Sequence, residues 1–118
     1  MKVNKISVTV ALFSSGLIFG CSYNKDMLPQ QTDCIAINAR FSADIQPVIQ
    51  SSCAANPACH GSGSVNGPGA LLTYNQVQAA ASMIKVAVET RRMPLGSSLN
   101  QAEINKISCW VNSGAPNN

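Results

Sequence analysis

Cys53-Ala54-Ala55-Asn56-Pro57-Ala58-Cys59-His60 sets two thiols ahead of the only histidine in the chain. The ordinary haem-attachment signature is Cys, two residues, Cys, His. In it, two thiols reach the two vinyl groups of one porphyrin while the adjacent imidazole takes the iron. Here five residues separate the cysteines. Vinyl spacing belongs to the porphyrin, so if both thiols bond to it the additional residues are looped out. The sequence supplies a turn at that point, because Asn-Pro favours turn initiation and Pro57 pushes Asn56 out of helical geometry. Two other readings stay open at this stage. Cys59 alone bonds, with Asn56 standing where a normal motif has its first cysteine, or Cys53 and Cys59 form a small disulfide beside an uninvolved histidine.

Outward from this octapeptide lie Phe41-Ser42-Ala43-Asp44-Ile45-Gln46-Pro47-Val48-Ile49 upstream, and Met93-Pro94 and Trp110-Val111-Asn112-Ser113-Gly114-Ala115-Pro116 downstream. With Cys59-His60 between them, this order resembles that of small bacterial c-type cytochromes, in particular a group carried on envelope lipoproteins. The resemblance runs from about Phe41 to the C-terminus. It implies an all-α, cytochrome c-like fold, with three main helices around one covalently bound haem c and a long loop after the Cys-His motif. It implies thioethers from Cys53 and Cys59, and His60 and Met93 as the two axial ligands of the iron. The implied activity is single-electron carriage between redox proteins of the bacterial cell envelope, not chemistry on a substrate. In that family the loop after the motif passes a backbone carbonyl to the proximal imidazole, and Pro68 is the residue expected to provide it.

The chain has 118 residues, enough for one domain with a modest core. Its net charge of +3 includes Lys2 and Lys5; without those two, six basic side chains face five acidic ones. No basic run, aromatic ladder or glycine-rich phosphate loop is present, which excludes a nucleic-acid or nucleotide footprint. Lys2 and Lys5 precede an apolar run from Ile6 to Gly20, shorter than the roughly 20 residues a membrane-spanning helix needs. Residues 1–20 therefore read as an export signal. Ile18-Phe19-Gly20-Cys21 is similar to a lipobox, in which the cysteine accepts lipid; otherwise cleavage falls nearby and Cys21 is free. Lipidation at Cys21 implies a lipid-anchored protein on the periplasmic side or at the cell surface, with residues 21–33 as a polar, aperiodic tether and residues 34–118 as the domain.

Within the domain, Cys34 opens a segment containing Ile35, Ile37 and Phe41 that shows no clear helical period and reads as an extended arm. Ser42 and Asp44 can start a short helix that keeps Pro47 near its first turn and delivers Cys53. Residues 61–69 are glycine-rich loop. Thr73 with Gln76 forms a capping box, and Leu72 with Val77 a hydrophobic staple, at the start of a helix whose stripe is Val77, Ala80, Ala81, Ile84 and Val88. Two alanines on that stripe leave room for a large flat group or for a close helix contact. Asn100 with Glu103 caps a last helix with Ile104, Ile107 and Val111 on one face and Trp110 at its flank; Gly114 and Pro116 end it. Cys109 lies near the opposite side of that helix. A thiol there wants a partner outside the core, and Cys34 is the cysteine left without a role, so a Cys34–Cys109 disulfide is expected.

Three methionines follow the signal segment: Met27 in the tether, Met83 off the stripe of the second helix, and Met93 before Pro94 in a loop, where backbone can deliver sulfur to a metal. Arg91 and Arg92 are candidates for haem propionates. An enzymatic haem site wants a distal acid or base, and with His60 spent no further histidine exists. Zinc would find only Cys53, Cys59 and His60, one ligand short of a structural site. The alternative of a different class is a haem-free, disulfide-stapled envelope lipoprotein acting as a binding or structural module.

Overall fold

Pro47 lies well inside a helix, not in its first turn, and the helix accommodates it. The computed structural model describes residues 33–118. The expected signal segment, Cys21, Met27 and the tether as far as residue 32 lie outside the described residues. An interior proline removes one backbone hydrogen bond and presses its ring on the carbonyl four residues back. The α-helical turn that holds it, α2 (Gln46–Val48), is continued on both sides by wider turns of π type, Phe41–Ile45 and Ile49–Cys53. The Gln46 N–H bonds to the Phe41 carbonyl, and the Ala54 N–H to that of Ile49 at 2.8 Å. Together they form one rod over residues 41–53. Phe41, Ile45, Ile49 and Cys53, four residues apart, are its buried face. Asp44 does cap the start, reaching back to the Arg40 N–H at 2.9 Å.

The arm ahead of the rod is not extended throughout. Asp33 accepts from the N–H groups of Ile35 and Ala36 and starts a single helical turn, α1 (Cys34–Ile37). Beyond the glycine-rich loop, the capping box of Thr73 and Gln76 starts α3 (Tyr74–Ala79). Ala80 interrupts what the pattern predicts as one helix, and α4 (Ala81–Glu89) resumes directly. The capping box of Asn100 and Glu103 starts α5 (Gln101–Asn112). Among the described residues every regular element is helical and there is no strand.

α5 is the element the others pack on: α4, α1 and the first wide turn of the rod all contact it. Ile104, Ile107 and Trp110 are buried along its inner face. Trp110 lies 5.7 Å from the Phe41 ring, which meets Tyr74 edge-on at 5.0 Å. Both polar tips are satisfied by the C-terminal segment: Trp110 Nε1 donates to the Pro116 carbonyl, and Tyr74 Oη to that of Ala115, each at 2.9 Å. The segment then runs back to the rod, where Asn118 accepts from the Phe41 and Ser42 N–H groups. Cys109 is turned away from Ile107 but is covered, because Cys34 on α1 bonds to it across 75 residues of sequence with the Cα atoms 5.1 Å apart.

Candidate functional site

The rod ends at Cys53, and the chain returns to it within one loop: the His60 N–H donates to the Cys53 carbonyl at 2.9 Å. Asn56 organises the loop. Its carbonyl accepts from the N–H groups of Cys59 at 3.1 Å and Gly61 at 2.9 Å, and its side-chain oxygen also accepts from Cys59 at 3.1 Å. This crossing is tight. A Cβ at residue 61 would lie 2.5 Å from the Asn56 carbonyl carbon, so only glycine fits there. Ala55, Asn56, Pro57 and Ala58 are exposed, the looped-out arrangement that the five-residue spacing requires for two thiols to converge.

Cys53 is buried, Cys59 is exposed, and both thiols are free, so the alternative of a disulfide between them is not what the structure holds. Burial, with a smaller contribution from neighbouring Cys59, pushes the Cys53 thiol up to about 11. It is a protonated, buried sulfur at neutral pH.

His60 Nδ1 lies 3.0 Å from the carbonyl oxygen of Gly69. A carbonyl can only accept, so Nδ1 is the donor, and in the neutral imidazole Nε2 is then the nitrogen that can act as a ligand. The carbonyl was expected from Pro68; it comes one residue later, from Gly69, and Pro68 lines the adjoining cavity. The glycine-rich loop is held against the Cys-His motif by its polar residues. Asn66 Nδ2 donates to the Ala58 carbonyl at 2.7 Å, and Ser64 Oγ to that of Cys59.

A cavity of about 500 Å³ lies beside His60, walled by Cys53, Leu71, Met83, Ile84, Val88 and Met93 among others. A second, of about 370 Å³, is lined by Cys59, Ala58, Pro94 and Leu95 and shares Cys53, His60, Gly67 and Met93 with the first. The expected thioether and axial residues thus meet at one place. Cys53, His60 and Met93 line both cavities, and Cys59 the second. Among the described residues no three of His, Cys, Asp and Glu converge as a metal-ion cluster. An iron here would take its protein donors from one imidazole and one thioether.

Of the two readings of the helical stripe, close packing is the one the structure holds. The stripe Val77, Ala80, Ala81, Ile84 and Val88 is buried and belongs to the core. The cavity lies chiefly against the next face of α4, through Met83, Val86 and Ala87, with Ile84 and Val88 at the shared edge. Their spacing of three and four residues was a second apolar stripe in plain view, hidden by the stronger one beside it. Met83, set aside for lying off the main stripe, is therefore a cavity residue, although its side chain is half exposed. The two arginines also divide. Arg92 is on the lining of the larger cavity, whereas Arg91 donates through one terminal nitrogen to the Leu99 carbonyl at 2.7 Å and through the other to Gln101 Oε1 at 2.8 Å.

No family model, curated protein or solved structure matches this chain.

Proposed function

We propose that residues 34–118 form a single-haem c-type cytochrome domain with a cytochrome c-like arrangement of helices. The observation that carries this reading is the His60 Nδ1 to Gly69 carbonyl bond on the wall shared with Cys53 and Met93. It prepares Nε2 as a ligand on a lining that includes Cys53 and, among the described residues, no carboxylate. The donor set suits the group: one imidazole, one thioether, two thiols and walls that are largely aliphatic. Bound haem would supply a reversible one-electron iron couple. The chain's residues do the rest. His60 and Met93 would hold the iron, Cys53 and Cys59 would attach the ring, and Leu71, Ile84 and Val88 would keep water from it. Arg92, on the lining of the larger cavity, would be available to the propionates. A lipid at Cys21 tethers the domain in the bacterial cell envelope, where it exchanges electrons with other redox proteins.

Export with haem-maturation machinery tests this directly. The intact mass is expected to exceed polypeptide plus lipid by one haem, and the colour to survive acid-acetone extraction; a mass accounted for without haem overturns the reading. In the loaded, oxidised protein Met93→Ala is expected to abolish the weak near-infrared band of methionine bound to ferric haem and to lower the potential, since a thioether raises it. Met83→Ala is expected to keep the band, and loss of it there instead would move the ligand to α4.

A further inference from the structure

We propose that Arg91 is a positioning residue which, by clamping the chain on the far side of Met93, sets where the Met93 thioether stands at the cavity wall. The two helices that flank this loop, α4 and α5, differ at their C-termini in the residue that takes the left-handed position. α5 closes with the 5→2 and 6→1 bonds of a Schellman motif: Gly114 N–H to Val111 O at 3.0 Å, and Ala115 N–H to Trp110 O at 2.9 Å. The left-handed position is a glycine, Gly114 at φ 93°. α4 closes in the same way, with Arg91 N–H to Val88 O at 3.1 Å and Arg92 N–H to Ala87 O at 2.9 Å. There the left-handed residue is Arg91, at φ 57°. An L side chain at that position is strained where glycine would not be.

What the strained position gains is its guanidinium. The fork reaches Leu99 O and Gln101 Oε1 at the start of α5, so one side chain spans the loop that contains Met93 from its first residue to its last. Met93 has only one backbone hold on α4, its N–H on the Ala87 carbonyl at 3.2 Å, and Leu95 beyond it is exposed. Without the clamp the loop is joined to the core chiefly by its ends. A planar fork donating from two nitrogens to two acceptors defines an orientation that a point charge does not.

The role of the sulfur rests on the function proposed above; the clamp itself does not. Arg91→Gly removes the guanidinium while relieving the backbone, so the melting temperature is expected to stay near that of the parent. Thermolysin nicking before Leu95 is then expected to quicken on the order of tenfold, the equivalent of one hydrogen bond to a charged group. In the haem-loaded protein, added imidazole is expected to displace the methionine with affinity tighter by about the same factor. Lys85→Gln, which removes a charge from α4 elsewhere, is expected to change neither. Unaltered nicking in Arg91→Gly overturns the clamp whether or not haem is present. Faster nicking with unaltered imidazole affinity overturns the positioning of Met93 while leaving the cytochrome reading intact, and a protein that takes up no haem fails that reading and leaves the clamp to be judged on nicking alone.

Discussion

At the scale of single residues, Gly61 and Cys53 show how an irregular motif is made to close. Gly61 is where the loop crosses itself, 2.5 Å from the Asn56 carbonyl carbon if it carried a Cβ. Gly61→Ala must open that crossing, and overpacking of this kind costs about 1–3 kcal/mol. Urea unfolding is expected to register the loss, and under the proposed function the yield of haem-loaded protein is expected to fall with it. Cys53 lines both cavities, and Cys59 the second. With the insertion looped out between them, two thioethers are expected. Each removes one vinyl from conjugation, so Cys53→Ala is expected to shift the pyridine haemochrome band to the red; an unmoved band would leave Cys59 as the sole attachment.

Between elements, the docking of α5 on the rod is partly electrostatic. Lys106 Nζ lies 2.8 Å from Asp44 Oδ1, and the hydrogen bond from Lys106, followed by the one from the Arg40 N–H, holds the Asp44 carboxyl below its ordinary value of 3.8. A carboxyl lowered on folding stabilises the native state above its unfolded value and loses that contribution as pH falls through the native one. Stability is therefore expected to fall with acid below about pH 4, and Asp44→Asn to flatten that slope when urea midpoints are compared across the range. The Lys106 side chain is partly exposed, so the effect is modest. α4 and α5 meet through a hydroxyl–carboxylate hydrogen bond: Ser108 Oγ donates to Glu89 at 2.7 Å, which leaves the buried hydroxyl satisfied.

For the whole molecule, the Cys34–Cys109 bond is a long-range covalent constraint. It closes 75 residues and ties the arm that precedes the site to the helix that follows it. Loop entropy assigns such a bridge about 4 kcal/mol, a large share of the stability of one small domain. Replacing both cysteines by serine is expected to lower the urea midpoint accordingly, and a drop within experimental error would show that α1 packs equally well without the bond. The C-terminal segment acts at the same scale without a covalent bond. It satisfies Trp110 and Tyr74 and reaches the first residues of the rod, so truncation after Gly114 would unpair the polar tips of both rings at once.

The parts that local chemistry decides were legible from the residues alone. Both capping boxes, the end of α5 at Gly114, the buried stripes of α4 and α5 and the turn at Asn56-Pro57 depend on neighbours within four positions. The Cys34–Cys109 pair was legible by a different route, through the phase of Cys109 on its helix and the number of thiols to be placed. What only the tertiary structure decided was wherever two distant segments compete for the same space. Pro47 is carried inside a widened rod because burial of Phe41, Ile45, Ile49 and Cys53 on one face outweighs a broken hydrogen bond. The α4 stripe went to the core and its neighbouring face to the cavity, since which of two apolar faces is covered depends on where α5 lies. Gly69 rather than Pro68 meets His60, and Arg91 rather than a glycine ends α4, because each answers a partner at least eight residues away. Periodicity and propensity carry no record of such partners; only the folded chain brings them within hydrogen-bond reach.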